Sequence, residues 1–198
     1  MKKILPTLIC FTFLSLQFLV PVSAAPNDIA SIKIENVSTR IFTDKSGQKV
    51  LEKISKNKQG DIIEVSVEKG EYATAVNTGD FSTQAVVYYA ASRSTVSSRL
   101  EFGWAQLRIY ANGFSDSYTS SSKTSKKAID KISVNTTLLM NGSVEDQDTD
   151  NRTNSSFANT SAAQQSWMVP TAPQYSRSSH AYHHSGANSV YHSTEAKR

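Results

Sequence analysis

Hydrophobic residues along this chain fall mostly at every second position. In "IDKISVNTTLLMNG", Ile132, Val134, Thr136, Leu138 and Met140 share one side of an extended segment. That period of two is the mark of a strand with one buried face. Asn141-Gly142 follows, a pair suited to the positive φ angles of a type I′ turn, so a hairpin returning through Ser143–Asp148 is expected. "WAQLRIYANG" alternates in the same way, with Ala105, Leu107 and Ile109 on one face and Trp104, Gln106, Arg108 and Tyr110 on the other. In "DIIEVSVE", Ile63, Val65 and Val67 lie on one side.

Two readings compete over residues 41–56. Ile41-Phe42 and Val50-Leu51 around "DKSG" suit a hairpin, whereas Val50, Leu51 and Ile54 also fit one face of a short helix over Gln48–Lys56. "QAVVYYAAS", "TNSSFANTSA", "YSRSSHAYHHS" and "NSVYHS" have strand character, "SDSYTSSSKTS" reads as a loop, and "SWMVPTAPQ" as a connector or edge because of Pro170 and Pro173. Many strands with frequent turns and little helical period predict an all-β protein, an antiparallel β-sandwich with a small Lys/Glu-rich N-terminal region.

Composition divides the chain in three. Lys2 and Lys3, a long apolar run and "VSA" with Val22 and Ala24 make residues 1–24 a secretory signal peptide, with cleavage expected between Ala24 and Ala25. Residues 25–81 are Lys/Glu-rich, and near Gly79 Ser, Thr, Asn, Ala and Tyr take over. This break makes 25–81 an N-terminal region and candidate propiece, and 82–198 the sandwich domain. The single cysteine, Cys10, lies in the signal, so the exported chain is expected to have neither disulfide nor thiolate chemistry and must rely on its core. The formal charge of +4 falls by two with Lys2 and Lys3. A balance that slight, with scattered cations, gives no nucleic-acid surface.

The pieces "ISVNTTLLMNG", "NRTNSSFANTSA" and "SSHAYHHSG", following a secretory signal, together resemble small secreted β-rich proteins of Gram-positive bacteria that have no assigned activity. The resemblance covers roughly residues 100–192. It implies an extracellular β-rich domain and little about chemistry.

Candidate chemistry is confined to three places. All four histidines lie in "SSHAYHHSGANSVYH". Along one strand His183 faces away from His180 and His184, and those two are too far apart to share an ion. If Ser185–Asn188 turn a hairpin with His184 opposite Ser189 and Ala181 opposite His192, then His183 and His192 meet diagonally and offer two zinc or copper ligands; the plainer alternative is polar surface imidazoles. In "EDQDTDN", Asp146, Asp148 and Asp150 have the spacing that opens a calcium loop, but Asn151 and Phe157 stand where an EF-hand needs Gly and Glu; a solvated turn or a guarded strand edge is the alternative. Trp104, Trp167, Tyr88, Tyr89, Tyr110, Tyr118, Tyr175, Tyr182 and Tyr191 are expected mostly in the core, or else as an exposed face for glycans or a membrane interface.

No G-x-S-x-G and no cysteine beyond the signal support nucleophilic catalysis. The expectation is a secreted, non-enzymatic module without a required cofactor, whose partner is an extracellular glycan, protein or membrane surface. A precursor of an antimicrobial or pore-forming toxin-like protein is the first alternative. A secreted hydrolase, which needs a catalytic cluster around His183 and His192, is the second.

Overall fold

The computed structural model describes residues 34–76, 85–101, 106–166 and 171–198, with the backbone alone described at 100, 101 and 106. The expected signal segment, Gly79, Trp104, Ala105, Trp167 and Pro170 therefore lie outside the described residues. Ten strands run β1 (Asn36–Thr43), β2 (Lys49–Lys56), β3 (Ile62–Thr74), β4 (Val86–Glu101), β5 (Gln106–Tyr118), β6 (Ile129–Met140), β7 (Ser143–Ser155), β8 (Phe157–Ser166), β9 (Gln174–His183) and β10 (Val190–Lys197), with no helix among the described residues. They form a six-stranded sheet, β1-β2-β3-β4-β5-β8, and a four-stranded sheet, β10-β9-β6-β7. Every neighbouring pair is antiparallel. The molecule is the β-sandwich that the alternation predicts.

The local signals explain most of the elements. β6 turns into β7 at Asn141 and Gly142, whose φ angles of 52° and 83° are those of the expected turn. Residues 41–56 form the hairpin, not the helix. Asp44 organises its turn by accepting from the Ser46 and Gln48 backbone N–H groups at 2.8 and 3.0 Å, while Gly47 takes the left-handed φ of 83°. The serine-rich stretch is a loop only after Tyr118, because Ser115 and Ser117 belong to β5 with fully buried side chains. β3 pairs with β4 across the expected composition break, so the Lys/Glu-rich strands are part of the six-stranded sheet.

The interior is unusual in its layering. One apolar cluster fills one end of the sandwich, with Tyr88, Ile129, Ile132, Val134, Tyr182 and Val190. Another fills the opposite end, with Val50, Val65, Val96, Ile109, Leu138 and Ala196. Between them the inward positions of six strands are polar: Ser92 and Ser94 on β4, Ser115 on β5, Thr136 on β6, Thr160 on β8, Ser178 and His180 on β9, and His192 and Thr194 on β10, all buried. Gly113 sits in this belt against the opposing sheet; a Cβ there would run into Thr136, Val134 and Ser178.

Candidate functional site

The polar belt is closed on itself. His180 lies 2% exposed and bridges the sheets, with Nδ1 2.9 Å from Ser115 Oγ and Nε2 2.8 Å from Thr194 Oγ1. Ser115 Oγ donates to the Ser133 carbonyl, so it accepts from His180 Nδ1–H, and Nε2 is left to accept from Thr194. That pattern requires a neutral ring, and burial pushes the His180 pKa down to about 3. His192 is 5% exposed, with Nδ1 2.7 Å from Ser92 Oγ and Nε2 3.3 Å from Glu71 Oε2. Burial lowers its pKa as well, partly offset by Glu71. Ser92 also contacts Tyr182 Oη at 2.7 Å, and Tyr182 donates to the Ala91 carbonyl.

Ser92, His192 and Glu71 thus form a serine–histidine–carboxylate run. Ser92 Oγ is fully buried between the sheets, with both His192 and Tyr182 upon it. No substrate carbonyl can approach it in this arrangement, whatever the order of the groups.

The expected histidine pairing is overturned by one residue of register. His192 lies opposite His180, not Ala181. Because side chains alternate, a slip of one sends every residue to the other face. His192 therefore points inward, while His183 is exposed and holds Ser189 Oγ at 3.1 Å. The two cannot share an ion. The reason lies in the turn: Ala187 is drawn into the apolar end of the core and bridges Ala75, and Asn188 N–H donates to the Thr74 carbonyl. Packing of the loop on β3 sets its length, which the hairpin sequence alone does not carry. Nor are the imidazoles uniformly surface groups, since two of four are buried.

Asp146, Asp148 and Asp150 do not form a loop. They sit at alternate positions of β7, two residues of strand rise or about 6.6 Å apart. Each aims a carboxylate at the free edge of β8. Asp146 accepts from Ala163 N–H, Asp148 from Ser161 N–H and Asp150 from Asn159 N–H, at 2.8, 2.8 and 2.9 Å. The other oxygens of Asp146 and Asp148 take the N–H groups of Gln147 and Thr149 on β7 itself. The triplet is a ladder of side-chain acceptors that caps two strand edges and ties the sheets together. The three carboxylates are too far apart to converge at the 2.3–2.6 Å a calcium ion needs. Among the described residues no three His, Cys, Asp or Glu side chains group as a metal site.

The open polar surface lies on the other face of the four-stranded sheet. Its registers set two adjacent rows across the strands: Tyr191–Ala181–Ser133–Asn151 and Ser193–Ser179–Asn135–Thr149. Small side chains in the middle of both rows leave a trough, formed by two adjoining depressions of about 250 and 460 Å³. Its floor mixes the hydroxyls and amides of these rows with apolar surface around Ala181, which makes up most of its area, and neither row carries a charge. Lys131, His183 and the Asp150-paired Arg152 stand at one rim, the Arg177–Glu195 ion pair at the other. Tyr191 rises at the β10 side with 72% of its surface exposed.

The other surface rings are occupied differently. Guanidinium groups cover Phe114 and Phe157 at 4.3 Å, Lys126 covers Tyr118 at 5.3 Å, and Lys197 covers Tyr175 at 5.3 Å. Tyr72 packs edge-on against Tyr89. Of the seven described tyrosines expected mostly in the core, only Tyr88 and Tyr182 are buried; Tyr89, Tyr110, Tyr118 and Tyr175 are half-buried and Tyr191 is exposed, because in strands with polar inward positions the rings fall on the outward face. Sequence reasoning missed the trough because its two rows come together only through the register of four strands; the small outward residues beside Tyr191 were the available signal. No protein-family model, curated protein or solved structure matches the chain.

Proposed function

We propose that the protein is a non-catalytic binding module that works outside the cell and holds a glycan in the trough of the four-stranded sheet. The observation that carries this reading is Tyr191, an open ring standing over two rows of small, uncharged donors and acceptors. A sugar presents an apolar C–H face and a rim of hydroxyls, which such a ring and such amides and hydroxyls complement. An uncharged floor suits a neutral ligand better than an anionic one. The secretory signal and the resemblance to small secreted Gram-positive proteins support an extracellular setting. Among the described residues no helix is long and apolar enough to cross a membrane.

The pore-forming alternative has less support. A lipid-facing hairpin needs one apolar face, yet β4 carries Ser92 and Ser94 on one side and Arg93 and Thr95 on the other. Among the described residues the hydrolase alternative finds only the sealed Ser92–His192–Glu71 run.

Retention on insoluble polysaccharides tests the proposal, with peptidoglycan, chitin and cellulose as probes. Tyr191→Ala is expected to weaken retention about tenfold, the scale of one lost aromatic contact of ~1.4 kcal/mol. Failure of the unmodified protein to be retained on any probe, or equal retention of the variant, would contradict the reading.

A further inference from the structure

The two ends of the six-stranded sheet are built differently. At β8 the aspartate ladder occupies the edge N–H groups. At β1 no such device is present among the described residues. The strand is eight residues long, pairs with β2 without a register shift, and contains neither proline nor an acidic residue. All its residues are exposed, Val37 at 59% and Ile41 at 71%. The backbone bond from Asp44 N–H to the Gln48 carbonyl fixes which groups face β2. Counting back by twos, Phe42, Arg40 and Ser38 bond to β2, and Ile41, Thr39 and Val37 turn their N–H and C=O groups to the open edge.

We propose that this edge is a self-association surface, on which β1 of a second copy of the chain adds antiparallel about a two-fold axis at Thr39. Complementarity within the strand selects this occupant. With Thr39 opposite Thr39 of the partner subunit, each Val37 lies opposite an Ile41, so the exposed apolar residues cover one another. Each Arg40 then lies opposite a Ser38, and like charges do not meet. Arg40 is already neutralised by Glu52, at 2.5 Å. The edge-facing groups of Val37, Thr39 and Ile41 in the two copies close a continuous ladder, and two six-stranded sheets become one. The trough lies on the other sheet and stays open, so this inference stands independently of the glycan reading.

Sedimentation equilibrium over a concentration series of the purified protein tests it. The expected result is a mass that doubles reversibly between micromolar and submillimolar protein. Thr39→Pro removes an N–H that faces the open edge, and Ile41→Lys places a cation opposite Val37. Both variants are expected to stay monomeric, with the far-UV spectrum unchanged; should the proline variant fold poorly, the lysine variant decides. A protein that is monomeric throughout the series would overturn the proposal, including the case in which the edge takes a strand from a different protein. So would a dimer that the lysine variant leaves intact, since that dimer uses another surface.

Discussion

β9 and β10 present two faces that are almost equally polar and behave in opposite ways. Inward, Ser178, His180, His192 and Thr194 are buried and bonded to Ser92, Ser94, Ser115 and Thr136 from neighbouring strands. Outward, Ser179, Ala181, Tyr191 and Ser193 border an open trough. Tyr191 and His192 are adjacent in sequence, yet one is exposed and the other sealed. The difference teaches that polar residues do not by themselves mark a site. What matters is whether their donors and acceptors are already committed inside the fold. The inner face commits its polarity to holding two sheets together, whereas the outer face faces solvent, with only the Asn135 amide bonded to Thr149 across its rows among the described residues.

The sharpest way to break the inner face is to add one carbon. Gly113→Ala places a methyl group against Thr136, Val134 and Ser178 from the opposing sheet. Neither the backbone of β5 nor the hydrogen-bonded belt can yield cheaply, so a loss of about 3 kcal/mol or more is expected. Urea unfolding measures it, and a loss below about 1 kcal/mol would mean that the sheets separate easily there.

Acid probes the same belt without mutation. Burial holds the pKa of His180 down to about 3, and that of His192 is lowered too. Unfolded histidine binds a proton near pH 6.5, so below that the unfolded state takes up more protons than the native one. Stability should therefore be level above about pH 7 and fall as pH drops from about 6.5 toward 3. His180→Ala should flatten that slope while lowering stability at pH 7 by about 2–3 kcal/mol, through the lost packing and bridging bonds. A slope unchanged in the variant would show that His180 does not set it. Asp44 and Asp130, whose pKa values are lowered by Lys69 and by the Ser185 N–H respectively, add a second loss only at lower pH.

A smaller effect is expected at the aspartate ladder. Asp148→Ala frees the Ser161 and Thr149 N–H groups, which water can then reach. The expected cost is about 1 kcal/mol, together with faster hydrogen exchange at those two amides. Unchanged exchange at Ser161 would show that the carboxylate does not guard that edge.

Much of this fold was legible in the sequence. Alternation placed β3 and β6, and Asn141-Gly142 fixed a turn whose φ angles only certain residues accept. The candidate sites were less legible, for one physical reason. On β9 and β10 both faces are polar, so the alternation of side chains cannot say which faces in. That choice falls to the register of the hairpin, which depends on how Ala187 packs against β3, a contact more than a hundred residues away in sequence. The aspartates illustrate the same limit. Their every-second spacing is shared by a calcium loop and by one face of a strand, and only the presence of the β8 edge beside β7 distinguishes the two.

The most direct test sets neighbouring residues against each other: Tyr191→Ala and His192→Ala, each assayed by urea unfolding and by retention on the polysaccharide that holds the unmodified protein. Tyr191→Ala is predicted to unfold at the same urea midpoint but to lose retention, whereas His192→Ala unfolds at lower urea and, while folded, is retained as before. Retention undiminished by Tyr191→Ala, with or without a change in stability, would contradict the assignment of the outer face as the binding surface.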